Sequence, residues 1–200
     1  MDDQMYACAA DFLFEVGVLA KTPRSGIYFL GEGRQSVAEH LSRAAYIGFV
    51  LGQMTGAVNT SKIVQMCLFH DLLETRISDL NYIHQQYVSV DVVSVWDDIL
   101  SPVSFGGAIQ VLMDEYHARQ TLESVIAKDA DNLEWIITLK EIYDIGNTRV
   151  LSTIENAQLR LKSPAAQKLA TAILAGKSDQ WYNSTKPKQW WVARKRGAPG

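Results

Sequence analysis

Ser61-Lys62-Ile63-Val64-Gln65-Met66-Cys67-Leu68-Phe69-His70-Asp71-Leu72-Leu73-Glu74 sets an imidazole and two carboxylates at the end of a run that is otherwise nearly all apolar. A helix that is apolar on all sides must be covered by its neighbours, so the run over about 61–73 predicts the central helix of an all-α bundle. A charge in such a place is costly unless paired or coordinated. His70 with Asp71 is therefore either a satisfied core pair or the start of a site. Successive helical residues point about 100° apart, so both side chains can reach one cation lying off the helix edge. Glu74, three positions past Asp71, falls near the same face.

Outward from this run the apolar residues recur at intervals of three and four, the helical period. Ala9, Phe12, Leu13, Val16 and Leu19 form one stripe, followed by a loop containing Pro23, Gly26, Gly31 and Gly33. Ser36 with Glu39 makes a capping box that opens a helix reaching about Met54. Val88, Val90, Val92, Val93 and Val95 fit a strand or a short helix; the rest of the pattern favours helix. Further helices are expected over 109–117, 121–145, 147–162 and 163–175, with Gly146 and Gly176 as stops. No linker or repeat interrupts this series, which predicts one helical domain over 1–176 and a basic, Trp-containing tail over 177–200.

Composition narrows the class. A chain of 200 residues, 48% apolar and 20% charged, can bury roughly 70% of its unfolded surface and is not disordered. No apolar run approaches the roughly 20 residues that span a bilayer, and Met1-Asp2-Asp3 lacks the basic start of a signal peptide. A cytoplasmic protein with no membrane partner is expected. The net charge of -3 conceals five cations in the last fifteen residues, without which the body carries about -8. An acidic body is a poor ligand for nucleic acid but suits a carboxylate metal site. Cys8 and Cys67 are too few for a disulfide scaffold and read as buried thiols.

Two further places bear on His70-Asp71. His40 lies one turn inside the helix opened by Ser36, and Lys128-Asp129-Ala130-Asp131-Asn132-Leu133-Glu134 sets several acids within an apolar helix. Ser36-Val37-Ala38-Glu39-His40, then His70-Asp71, Glu74 and Asp79, then Lys128-Asp129-Ala130-Asp131, together resemble the HD-domain metal-dependent phosphohydrolases. The branch most similar is that of the 5′-deoxynucleotidases. The likeness runs from about Lys21 to about Tyr143 and takes in Pro23-Arg24-Ser25-Gly26.

The resemblance implies an HD-type helical bundle and one divalent transition metal held by His40, His70, Asp71 and Asp131. Asp129 is two positions from Asp131, about 200° round the helix, so the two cannot face one cation. The family motif selects Asp131, leaving Asp129 outside the ligand set, paired with Lys128 or a neighbouring Arg. Two imidazoles and two carboxylates suit Mn, Co, Fe, Ni or Zn better than Mg. The implied reaction releases phosphate from ribo- or deoxyribonucleoside 5′-monophosphates by attack of a water activated at the metal. Arg24 would bind the phosphate, Glu74 would deliver a proton to the leaving 5′-oxygen and Asp79 would contact the sugar or orient water. The branch carries an aromatic residue, usually Trp, soon after the loop arginine; here Ile27, Tyr28 and Phe29 follow, and Tyr28 is the candidate substitute. Relatives imply a homodimer.

Two rival readings use other residues. His84 and His117 lie between His70-Asp71 and Asp131, the interval in which two-metal HD phosphodiesterases and an HD oxygenase carry extra histidines. Alternatively the chain is a non-catalytic helical interaction module, its tail binding nucleic acid through Trp190, Trp191 and the neighbouring Lys and Arg. Packing of Trp181, Trp190 and Trp191 on the body or on a second subunit, with the final basic residues solvated, is the expected arrangement.

Overall fold

A computed structural model describes residues 3–31 and 33–183, and among these there is helix and no strand. Ten α-helices follow in order: α1 (Asp3–Val16), α2 (Val37–Thr55), α3 (Thr60–Phe69), α4 (Glu74–Ile77), α5 (Val92–Leu100), α6 (Gly106–Ala118), α7 (Leu122–Asp144), α8 (Leu151–Gln158), α9 (Pro164–Ala175) and α10 (Gln180–Asn183). The start of α2 is fixed as the sequence predicts: the Ser36 N–H donates to Glu39 Oε2 at 2.6 Å, and the Glu39 N–H to Ser36 Oγ at 3.2 Å. Two orphan donors are satisfied reciprocally, which sets His40 one turn in.

Helices α2, α3 and α7 pack against one another and form the core, with α6, α8 and α9 laid around α7. Leu41, Ala44 and Leu51 from α2 meet Ile63, Met66 and Cys67 from α3 and Ile126, Ala130 and Leu133 from α7. Each large side chain so buried contributes about 1.5–3 kcal/mol. Close approach of α2 and α3 depends on glycine. A Cβ on Gly48 would lie 2.8 Å from Cys67 Sγ, and one on Gly52 2.7 Å from Thr60 Oγ1.

Several expectations need correction. The central helix ends at Phe69 rather than at 73, because Leu72, Glu74 and Thr75 donate to carbonyls three residues back, tightening the chain into turns before α4. His70 and Asp71 thus stand on a turn at the end of α3. Nor is α3 enclosed on all sides: Leu68 is 44% exposed and, with Val64, lines an open apolar groove beside Leu41, Tyr46 and Phe49 of α2. The buried length of the bundle belongs equally to the 23-residue α7. Val88 and Val90 lie outside any helix, whereas Val92, Val93 and Val95 belong to α5, which buries Trp96, Ile99 and Leu100. Leu13 of the first stripe is exposed, and Cys8 is only half-buried.

The segment expected to be one helix over 147–162 is a 3-10 turn (Thr148–Val150) leading into α8, which stops at Gln158. Trp181 is 75% exposed and meets Tyr182 edge-on instead of packing on the body. Trp190, Trp191 and the basic residues around them lie outside the described residues. No helix among the described residues is long and apolar enough to cross a membrane.

Candidate metal centre

Three elements bring the chemistry together: the first turn of α2, the turn after α3, and the middle of α7. His40 and His70 are buried with their Nε2 atoms 3.3 Å apart. Asp131 Oδ1 lies 3.2 Å from His40 Nε2 and 3.7 Å from His70 Nε2. Asp71 Oδ2 lies 3.6 Å and 3.4 Å from the same two atoms. Among the described residues His40, His70 and Asp131 form the one group of three or more His, Cys, Asp or Glu side chains whose donor atoms all lie within 4.8 Å.

The outer nitrogens of the two rings define what the inner ones offer. His70 Nδ1 lies 2.9 Å from the Cys67 carbonyl oxygen, which can only accept, so Nδ1 carries the proton. His40 Nδ1 lies 2.5 Å from Glu134 Oε2, whose carboxylate likewise takes a donor. Each neutral ring then presents a lone pair on Nε2 to the other, with two carboxylate oxygens aimed at the same point. Such a set is repulsive until a cation stands in the middle, and the outer partners are the kind that orient metal-ligating imidazoles. The residues fit a divalent metal of the transition series, with two nitrogen and two oxygen donors. Without one, burial and Arg24 oppose protonation of His40, but Asp131 and Glu134 prevail and hold its pKa up at about 9.

Glu134 is the residue that sequence reasoning passed over. It is fully buried, and beyond His40 it accepts from Arg43 Nε at 2.9 Å, Gln35 Nε2 at 2.6 Å and Thr138 Oγ1 at 3.1 Å. Burial alone would raise its pKa, yet His40 and Arg43 bring it down to about 2. The signal is in the sequence, since Glu134 is an acid near the middle of a long helix spanning Leu122–Asp144, but its face is not assigned by the sequence.

The acid competition on α7 resolves geometrically. Asp129 turns away from the cluster and accepts the backbone N–H groups of Lys162 at 2.9 Å and Ser163 at 2.6 Å, anchoring the segment that leads into α9. It does not pair with Lys128 or an arginine, as the sequence led us to expect; Lys128 Nζ instead sits 2.6 Å from Asp131 Oδ2. That ammonium, with the two histidines, holds the Asp131 carboxyl well below its usual range despite burial.

Arg24 reaches across from the 23–26 loop, its Nη1 3.3 Å from Asp71 Oδ2 and 3.5 Å from Asp79 Oδ2. Asp79 also accepts the Ser25 N–H at 2.9 Å, which fastens the loop to the segment after α4. Burial works against the Arg24 charge, but Asp71, Asp79 and Asp131 keep it. Glu74 leaves Oε2 buried without a partner. Burial first, then the charges of Asp71 and Asp79, push its pKa up to about 9, so its carboxyl is protonated at neutral pH. Arg76 does not neutralise it, being paired with Glu15 at 2.7 Å and Asp98 at 3.5 Å.

An open cavity of about 830 Å³ leads to this cluster, and Arg24, Asp71, Asp79 and Asp131 line it. Tyr28 does not: it is 59% exposed and points elsewhere on the surface. The aromatic wall comes from Trp135 on α7, whose ring would meet a Cβ on Gly26 at 3.3 Å, and from Tyr82. The extra histidines stay apart. His84 lies on a separate 3-10 turn (His84–Gln86), and the exposed His117 stacks edge-on with Tyr116.

A helical bundle whose second, third and seventh helices bring two histidines and two aspartates to one point defines a class, and comparison with known proteins supplies its family. The HD domain model matches residues 16–171, and the chain belongs to that family. A conserved hypothetical protein from Pyrococcus furiosus is 26% identical, with a TM-score of 0.71 over 84% of this chain and 99% of that one. A predicted metal-dependent phosphohydrolase from Magnetospirillum magnetotacticum shares the fold, at 19% identity and a TM-score of 0.68 over 86% and 92% of the two chains. Among curated proteins, the 5′-deoxynucleotidase HDDC2 of Danio rerio is 25% identical over 145 residues, which is 67% of this chain and 69% of that one.

Proposed function

We propose that the protein is a metal-dependent phosphohydrolase that releases phosphate from nucleoside 5′-monophosphates, with His40, His70, Asp71 and Asp131 holding one divalent transition metal. The observation that carries this reading is the convergence of two Nε2 lone pairs and two carboxylate oxygens beside a charged arginine at the end of an open cavity. Phosphate monoesters hydrolyse so slowly that a catalyst must lower the barrier by on the order of 20 kcal/mol. Bound there, a dication supplies Lewis acidity to the phosphoryl oxygen and acidifies a water nucleophile.

The chain's own groups do the rest. Arg24, kept charged between Asp71 and Asp79, offers its remaining N–H groups to phosphoryl oxygens and holds the phosphate in line. Glu74, whose carboxyl is kept protonated by burial and by the charges of Asp71 and Asp79, donates its proton to the leaving 5′-oxygen, which would otherwise depart as an alkoxide. Asp79 has one oxygen engaged by Ser25 and Arg24 and the other for the sugar or an ordered water. Lys128 offsets negative charge on Asp131 and at the mouth of the site. Trp135 and Tyr82 form the wall against which the nucleoside rests. The likeness to a 5′-deoxynucleotidase favours deoxyribose.

The test combines metal analysis of the purified protein with phosphate release from a panel of ribo- and deoxyribonucleoside monophosphates. Expected are one metal per chain, metal-dependent release, and loss of both in His70→Ala and Asp131→Ala. Metal without cleavage of any monophosphate overturns the substrate; absence of metal overturns the whole reading.

A further inference from the structure

Arg119 follows the last residue of α6, and its backbone holds φ 56° and ψ 29°, in the left-handed region. A residue with a Cβ enters that region at a cost, and glycine or asparagine ordinarily ends a helix this way. Of the three non-glycine residues with positive φ among the described residues, Arg119 alone lines the cavity. The other cations on the cavity wall are held differently: Arg160 and Lys162 are exposed, and Arg24 and Lys128 are taken by carboxylates. Arg119 is half-buried, its guanidinium carbon 3.9 Å from the centre of the Tyr116 ring, and its Nη1 donates to the Ser124 carbonyl oxygen at 3.3 Å. Stacking on the ring and this hydrogen bond fix the fork and leave its remaining N–H groups for a ligand.

Tyr116 links this cation to the metal cluster. It is 2% exposed, and the centre of its ring lies 5.4 Å from that of His70, one of the two histidines whose Nε2 atoms meet in the cluster. Its hydroxyl is buried and has no hydrogen-bond partner. The charges that bear most on that hydroxyl are those of Asp131, Arg119 and Asp71, all three lining the cavity. A buried hydroxyl left unpaired is unfavourable, so one held among cavity-lining groups marks the place of an acceptor. A phosphate monoester brings three strong acceptor oxygens. Arg24 and a dication at the cluster account for two of them.

We propose that Arg119 and the Tyr116 hydroxyl form the second half of the phosphoryl-binding site, donating to the oxygen that Arg24 and the metal do not take. The assignment rests on the phosphohydrolase reading of the cluster and deepens it. The phosphoryl group that is cleaved is gripped from α6 as well as from the 23–26 loop, so each of its three oxygens meets a cation or a donor. The strained backbone at Arg119 is what aims the guanidinium along the Tyr116 ring into the cavity.

Calorimetric titration of inorganic phosphate into the full-length chain as purified, with its metal content measured, tests it. Phosphate is the product and is not turned over. Arg119→Gly removes the side chain and suits the left-handed backbone, so it is expected to melt close to wild type, to keep its metal content and to bind phosphate about tenfold more weakly or worse. Arg119→Lys retains part of the affinity. Tyr116→Phe keeps the ring and loses the donor, and is expected to bind phosphate several-fold more weakly. Phosphate binding unchanged in Arg119→Gly or in Tyr116→Phe, absence of phosphate binding by wild type, or an Arg119→Gly chain that loses metal or melts far below wild type overturns the proposal. Phosphate release from the monophosphate panel is measured separately. Its failure, with these binding losses in place, removes the hydrolytic reading and leaves the phosphate contacts standing.

Discussion

At the scale of single residues, Glu134 shows how a buried charge is made tolerable and useful. Its carboxylate takes hydrogen bonds from His40, Arg43, Gln35 and Thr138, so its removal leaves the buried His40 Nδ1 without a partner and the half-buried Arg43 Nε unmatched. Glu134→Ala is expected to destabilise the protein by about 3–5 kcal/mol, read from denaturant unfolding of the metal-free chain. The pH dependence has a definite sign. Its folded pKa of about 2 lies below the ordinary 4.5, so its contribution is full above pH 4.5 and is lost as pH falls toward 2. Glu134→Gln removes that part of the acid sensitivity. Glu74 runs the other way: its proton must be present for leaving-group protonation, so the rate of the metal-loaded enzyme falls as pH rises, with a midpoint at or below about 9 because a dication nearby lowers it. Glu74→Gln should lose kcat by about a hundred- to ten-thousand-fold, with KM little changed.

At the scale of elements, the separation of Asp129 from Asp131 divides structure from chemistry within one turn of α7. Asp129→Ala frees the segment leading into α9 and leaves the Lys162 and Ser163 N–H groups without an acceptor. The expected cost is about 1–3 kcal/mol of stability with metal stoichiometry unchanged; Asp131→Ala should abolish metal binding. Gly106 marks another constraint, since a Cβ there would lie 2.0 Å from the Leu100 carbonyl oxygen, a backbone atom that cannot yield. Gly106→Ala is expected to give little soluble protein on expression, whereas Gly107→Ala, which meets nothing, should behave as wild type. Periodicity and caps made α2, α7 and α9 legible in the sequence, because Ser36 with Glu39, Thr121 and Ser163 mark their starts locally. The end of α3 was not legible: no Gly or Pro follows Phe69, and the switch to three-residue turns is a tertiary effect of bringing His70 to His40. The candidate ligands His40, His70, Asp71 and Asp131 stand out through the resemblance to the HD-domain phosphohydrolases, which adds to the imidazoles and acids set within apolar runs. Glu134 and Trp135 do not, because their roles depend on which face of α7 meets α2 and the 23–26 loop, information that one helix alone does not contain.

At the scale of the molecule, the cluster joins three segments far apart in the chain, at positions 40, 70–71 and 131. Metal binding is therefore linked to folding of the whole core. Nothing in the unfolded chain holds these donors together, so a metal that binds the native state stabilises it by RT ln(1 + [M]/Kd), about 2.7 kcal/mol at a hundred times Kd. For a chain of this size each kcal/mol shifts Tm by about 2–4 °C. Saturating the metal-free protein should thus raise Tm by about 5–11 °C, and a chelator should reverse the shift. Mn, Co, Fe, Ni and Zn should all produce it and Mg should produce less, since two of the donors are imidazoles. His70→Ala and Asp131→Ala should melt at one temperature with and without metal, while Arg24→Ala, which removes no donor, keeps the metal shift and loses phosphate release. A shift that survives in both ligand variants would locate the metal elsewhere on the molecule and separate the fold from the chemistry assigned to it.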